Sequence, residues 1–380
     1  VSGRVKLHLA LLLAGPLAAG AQQVQVYAGA NDNPNTVINA SFVTPTMTYS
    51  AEVPTGGSTS GLTTSLAFNQ TRIFRSTAGC AMVALTNNNS NNISIFSISP
   101  TGTLTAVAGS PFTAGAGLQS LAWAPDGGAL YAPLAVAGTQ NVVTFTVTCP
   151  TPGAPVVTNA GSVALTGFDL LRDAEVIGAG PGTHLCVSGT NTNNVGCVPI
   201  DGTTRLPGSV PVNTIAVANV RGMRIAPNGC GVAGVGNANT LVGFSASAAG
   251  LLTATNTAAT ATAPRYGAIS SDGTLAAFGG FGTQFTLVTV NPACSLALVG
   301  SNNNGIATTL VEYMAFDETN RLYVSDSLGN QIRVFAPTGA GIGAAVSTTT
   351  TNHATVNAPG GIDVAQLASL PVELERFSVD

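Results

Sequence analysis

A unit of roughly 40–50 residues recurs along this chain, and a period of that length holding four short strands is the signature of a propeller blade. The clearest copy starts at Leu118. An apolar stretch (Leu121, Ala122, Trp123) leads through the turn Ala124-Pro125-Asp126-Gly127 into strands over 129–136, 142–147 and 154–164. Related units start near Leu62, Leu170, Val220, Arg265 and Leu310, with first turns such as Pro227-Asn228-Gly229 and Ser271-Asp272-Gly273. Asp or Asn followed by Gly suits the left-handed position of a tight hairpin, so these polar residues read as turn formers before ligands. Asn- and Gly-rich turns such as 87–92 and 189–194 come next, each followed by a strand like Ile93-Ser94-Ile95-Phe96-Ser97-Ile98. Alternation at period two buries one face of such a strand against the next blade.

The two ends fix the number of blades. Residues 24–53 read as three strands lacking a first, and Gly360-Gly361-Ile362-Asp363-Val364-Ala365 reads as a first strand lacking the rest. Joined, they give an all-β, seven-bladed β-propeller over residues 22–367, closed by pairing the N- and C-terminal strands in one blade, with no open sheet edge at the seam. Composition agrees. Of 380 residues only 7% are charged, against a usual share of about 25%. Thr, Ser, Asn and Gly must therefore cover the surface, and the Lys- and Glu-rich faces of long helices are missing.

Residues 1–21 read as an export signal: Arg4 and Lys6 precede an apolar run over 7–17 and the small-residue site Ala19-Gly20-Ala21. A membrane anchor would need about 20 apolar residues, and this run is shorter and broken by Pro16. The expected location is secreted, periplasmic or cell-surface, with no membrane span after signal removal. Lys6 is the chain's single lysine and the net charge is −4. Without a basic face nucleic acid is excluded as a partner. No heptad pattern predicts an oligomer, so a monomer is expected. Residues 368–380 form a tail whose Leu370-Pro371-Val372-Glu373-Leu374 start resembles segments near the ends of exported bacterial surface proteins.

The stretches NNISIFSISPTGTLTAVAGSPF, LQSLAWAPDGGALYA and LYVSDSLGNQIRVF resemble the lactonase-like and YVTN-repeat propeller superfamily. The resemblance spans about Val24 to Ala365. It implies a seven-bladed fold and, by analogy with lactonase-type members, acidic and basic residues working at the channel mouth.

Six cysteines in an oxidising compartment are expected to pair. If Ser188 faces Val195 across a hairpin, Cys186 faces Cys197. Cys80 and Cys230 share one position after the first turn of their blades, and Cys149 and Cys294 share the turn between third and fourth strands. That correspondence predicts Cys80–Cys149 and Cys230–Cys294 bridges, each stapling a blade to its successor. Zinc is not expected, because there is no C-x-x-C spacing and histidine is scarce.

The starts of the inner strands carry Gln119, Asp169, Arg172, Asp173, Arg221, Arg265, Tyr266, Glu312, Tyr313 and Asp363. In so uncharged a chain, this concentration at one end of the channel marks the candidate site. As a catalytic set, Arg221 and Arg265 would hold a carboxylate or polarise a carbonyl while Glu312 activates water. Gln119, Asp169, Arg172, Tyr266, Tyr313 and Asp363 would bind the ligand. No cofactor motif is present. A divalent cation such as calcium would need oxygens from Glu312, Asp363 and Asp169 to converge. His184 begins a second strand and His353 lies in a Thr-rich outer segment, so neither is placed as a base. The bland reading of the cluster is a salt-bridged ring that merely satisfies the channel. Two functional readings follow: an exported binding or scaffold module with a small-molecule or surface partner, and a lactonase-like hydrolase acting on a sugar lactone or related anion.

Overall fold

A computed structural model describes residues 23–30, 33–59, 71–75, 81–150, 154–179, 182–280, 282–302, 311, 313–326, 329–351 and 361–366, with backbone alone over 71–75 and at 366. The expected signal (1–21) and tail (368–380) lie outside the described residues. Seven antiparallel sheets form, and no helix occurs among the described residues. The innermost strands contact one another in a closed order around a central channel. The architecture is a seven-bladed β-propeller.

Closure follows the expected route. Ile362–Gln366 pairs antiparallel with Val24–Gly29, which pairs with Thr36–Val43 and then Thr46–Pro54. The innermost strand of this first blade therefore comes from the C-terminal end of the ring. The fourth, fifth and sixth blades begin with Leu171–Ile177, Val220–Ile225 and Pro264–Ile269, and the seventh with Met314–Phe316. In the third blade the strands are shorter than the sequence pattern: the innermost is reduced to Ala122–Trp123, and the next ends at Pro133 because the chain leaves the ladder for the turn around Gly138.

Alternation decides where the core lies. Residues of one blade interleave with those of the next, so the core is a series of slabs between sheets. Met82, Ile93 and Ile95 of the second blade pack with Leu121, Leu130 and Phe145 of the third. Cys186 and Val195 of the fourth pack with Met223 and Phe244 of the fifth. At the closing seam Phe42 of the first blade meets the Tyr323 ring of the seventh edge-on at 5.9 Å.

The outermost strands carry a regular irregularity. In the first, third, fifth, sixth and seventh blades the ladder between third and fourth strands slips once, as between Thr144/Phe145 and Val242/Phe244. In the second and fourth blades the outer strand is only three residues long, Leu104–Ala106 and Thr214–Ala216.

Two disulfides join described cysteines. Cys186 and Cys197 face one another across Ser188↔Val195, inside the fourth blade. Cys230 and Cys294 join the fifth blade to the sixth. Cys149 is also disulfide-bonded, while Cys80 lies outside the described residues, and with it the Cys80–Cys149 pairing.

Candidate functional site

Three arginines occupy one register position on three successive blades. Leu171, Val220 and Pro264 each make the first ladder pair of their inner strand, with Gly189, Val235 and Gly280. Arg172, Arg221 and Arg265 come immediately after. In each blade the ladder then slips, between Leu171/Ala174, Val220/Met223 and Pro264/Tyr266. A bulge at this point leaves a residue out of strict alternation and re-aims its side chain. Leu118 bridges to Leu134 in the third blade, so Gln119 stands at the same level.

The side chains meet there. Arg172 donates a hydrogen bond to the Gln119 side-chain oxygen, and Arg221, Arg265 and Tyr266 all act electrostatically on Arg172. Arg172 and Arg265 are buried. Burial pushes the Arg172 guanidinium down to about 10, opposed by Tyr266 and reinforced by the like charges of Arg221 and Arg265. It still carries its charge at neutral pH. Glycines make the space: a Cβ on Gly236 would stand 2.2 Å from Arg221 Cγ, and one on Gly222 would stand 2.2 Å from the Arg265 carbonyl oxygen.

One level below, Tyr266 and Tyr313 stack with ring centroids 5.2 Å apart and planes 16° from parallel. Beside them, fully buried Asp173 accepts hydrogen bonds from Ser120 Oγ (2.6 Å), the Met223 amide (2.9 Å) and Arg224 Nη1 (2.6 Å). It thereby ties the third, fourth and fifth blades together. Arg224 also pairs with Glu175 at 3.3 Å.

Not every expected residue joins the arginines. Asp169 is half-buried in the loop before the fourth blade's inner strand, accepting from the Gly138 amide (2.9 Å) and Asn191 Nδ2 (3.0 Å). These two hydrogen bonds, with Asn191 the stronger influence, hold its carboxyl below the usual range. Its role is to latch neighbouring blades. Asp363 lies toward the far end of the channel, with Glu175 and Arg224 around a separate cavity. In its own blade it pairs with Tyr27 of the second strand. The three-oxygen cation site is therefore not assembled by Asp169 and Asp363. Glu312, the proposed water activator, lies outside the described residues. His184 pairs with Ile177 at the end of its inner strand, away from Arg172.

Sequence reasoning missed Arg224 and Glu175. The signal was present: each stands three residues after an arginine of the upper ring, but the bulge that turns both toward the channel needs the opposite strand to be counted.

Comparison with known proteins bears on the fold. Scans against protein-family profiles and against curated protein sequences find no match. Among solved structures, similarity extends over nearly the whole chain. A functionally unknown protein from Desulfotomaculum acetoxidans superposes with a TM-score of 0.67 at 13% identity, covering 90% of this chain and 98% of that one. A periplasmic gluconolactonase from Pseudomonas aeruginosa gives 0.65 at 13%, covering 90% and 99%. A putative 6-phosphogluconolactonase from Bacteroides fragilis gives 0.65 at 14%, covering 87% and 99%. The likeness is one of fold: the chain shares its seven-bladed β-propeller architecture with these structures. On that fold this chain carries three arginines at one end of the channel, on three successive blades.

Proposed function

We propose that this chain is an exported propeller that binds a small anionic ligand of the sugar-acid type at the arginine end of its channel. The observation that carries the reading is the placement of Arg172, Arg221 and Arg265 at one register position on three adjacent inner strands, each followed by a bulge. Guanidinium groups held in a partly desolvated ring bind carboxylates through charge-assisted, directional hydrogen bonds. Gln119 adds an amide able to discriminate hydroxyl patterns. Export is supported by the disulfides, which persist in oxidising compartments.

The test is calorimetric titration of the purified chain with gluconate. Saturable binding that weakens at least about tenfold on Arg265→Gln is the expected result, one lost charge-assisted contact being worth that much. Gluconate binding unaffected by Arg265→Gln removes the proposal.

A second reading, hydrolysis of a sugar lactone at the same ring, draws support from the lactonase names of two structural neighbours. In it Arg221 and Arg265 polarise the lactone carbonyl and Glu312 activates water. Release of acid from glucono-δ-lactone, abolished by Glu312→Gln, would favour this reading over the binding module. Binding without turnover would favour the module.

A further inference from the structure

An apolar groove of about 630 Å³ opens on the face where the inner strands finish. Val176 and Ile177 of the fourth blade wall it, with Ile225 and Ala226 of the fifth and Ala246 and Ala248 from the turn between the fifth blade's third and fourth strands. None of the described residues lining it is charged or aromatic. The same turn, closed by a hydrogen bond from the Ser247 amide to the Leu251 carbonyl at 2.9 Å, leaves Leu251 51% exposed.

Apolar surface gathered in this way marks a contact site, and the chain carries an occupant within reach. Ile362–Gln366 runs in the same direction as the other inner strands, so its last residue stands toward this face. Asp363 of that strand lines one cavity of about 220 Å³ together with Ile225 and Pro227 of the groove wall. One small cavity thus separates the strand from the groove. Residues 367–380, which lie outside the described residues, continue from Gln366. The four residues 367–370 alone can extend over about 13 Å, and they lead into Leu370-Pro371-Val372-Glu373-Leu374-Glu375.

We propose that residues 370–375 dock in this groove as an extended strand of the same molecule. Pro371 fixes its own φ and holds the residue before it extended. Side chains of an extended chain alternate, so Leu370, Val372 and Leu374 share one side, about 6.6 Å apart, and fill the groove. Glu373 and Glu375 take the other side and stay in water, so no charge is buried without a partner. Tethering decides the occupant: a short linker holds the segment at millimolar effective concentration, above that of a free peptide of like sequence. The contact uses none of the residues of the anion site.

Two readouts on the purified chain ending at Asp380 test the proposal. With p-benzoylphenylalanine in place of Leu374, ultraviolet irradiation gives an intramolecular crosslink that mass spectrometry maps to residues 176–179, 225–229 or 246–248. Trypsin cuts after Arg376 only when the segment leaves the groove, so the cleavage rate follows the undocked fraction. Leu374→Ser raises that rate about tenfold, the expected loss for one buried aliphatic side chain. Ala248→Trp, made at an exposed turn residue, fills the groove and raises the rate at least as much without lowering the melting temperature. Glu373→Gln leaves the rate as in the parent. The proposal is overturned if the crosslink maps elsewhere, if it joins two molecules when isotopically labelled and unlabelled chains are mixed, or if Arg376 is cut at one rate in the parent, Leu374→Ser and Ala248→Trp.

Discussion

Single carboxylates do more joining work in this protein than their turn positions imply. Asp126 accepts from the Gly128 amide within its own hairpin (2.8 Å) and pairs through its other oxygen with Arg205 of the next blade (2.9 Å). Asp272 repeats the scheme, accepting from Thr274 in its own turn and from Asn320 Nδ2 of the seventh blade at 2.7 Å. Partial burial acts to raise the Asp272 pKa, but hydrogen bonds from Ser270, Asn320 and Thr274 outweigh it and hold the carboxyl well below the usual range. A depressed pKa in the folded state contributes stability that is complete above the unfolded value near 4 and is lost as pH falls further. The melting-temperature gap between parent and Asp272→Asn is therefore expected to be open at neutral pH and to close on acidification below about 4. Asp173 should matter more. With no exposure, its replacement by Asn removes the shorter of the two ion pairs of Arg224, leaving only Glu175 at 3.3 Å, at a cost of about 3 kcal/mol readable from the urea midpoint. The turn role of Asp126 and Asp272 was legible from the Gly that follows each; the partner in the next blade was not, because it lies 48 residues away for Asp272 and 79 for Asp126.

Strands show the same division between what is local and what is not. Repeat spacing and alternation located the hairpins, and the cross-strand facing of Cys186 and Cys197 followed from one assumed register pair. Bulges escaped, since a bulge exists only relative to the strand opposite. They matter at both rims of a blade. On the inner strand they turn arginines into the channel. On the outer strand they stand in for charge: Val156–Ala164, Leu252–Ala259, Leu296–Asn302 and Ala345–Thr350 carry no charged residue, and unprotected edges of that kind invite pairing between molecules. A slipped ladder twists the edge out of register with any flat partner. Deleting Ala160, the extra residue opposite Thr144/Phe145, should straighten one edge and produce association detectable by light scattering. The staples belong to this scale too. Cys230–Cys294 closes a separation of 64 residues and Cys186–Cys197 one of 11. Loop-closure entropy assigns them about 4 and about 3 kcal/mol, so the Cys230→Ser/Cys294→Ser pair should lose more stability than Cys186→Ala/Cys197→Ala in chemical unfolding.

As a whole the molecule is a ring with two chemically different ends to one channel, arginine-rich above and ion-paired below, with the Tyr266–Tyr313 stack between them. The expectation that all the polar inner-strand residues share one mouth failed because successive residues of an inner strand descend through the channel by about 3.3 Å each. The seam closes the ring physically: Val24 sits directly opposite Gln366, so the first and last strands of the ring end about one strand spacing apart. A chain with this property has no privileged starting point. Linking Gln366 to Val24 through a few glycines and reopening the sequence at the exposed turn around Thr101 should yield a permutant with the parent's circular dichroism and gluconate affinity, its blades renumbered but its architecture intact.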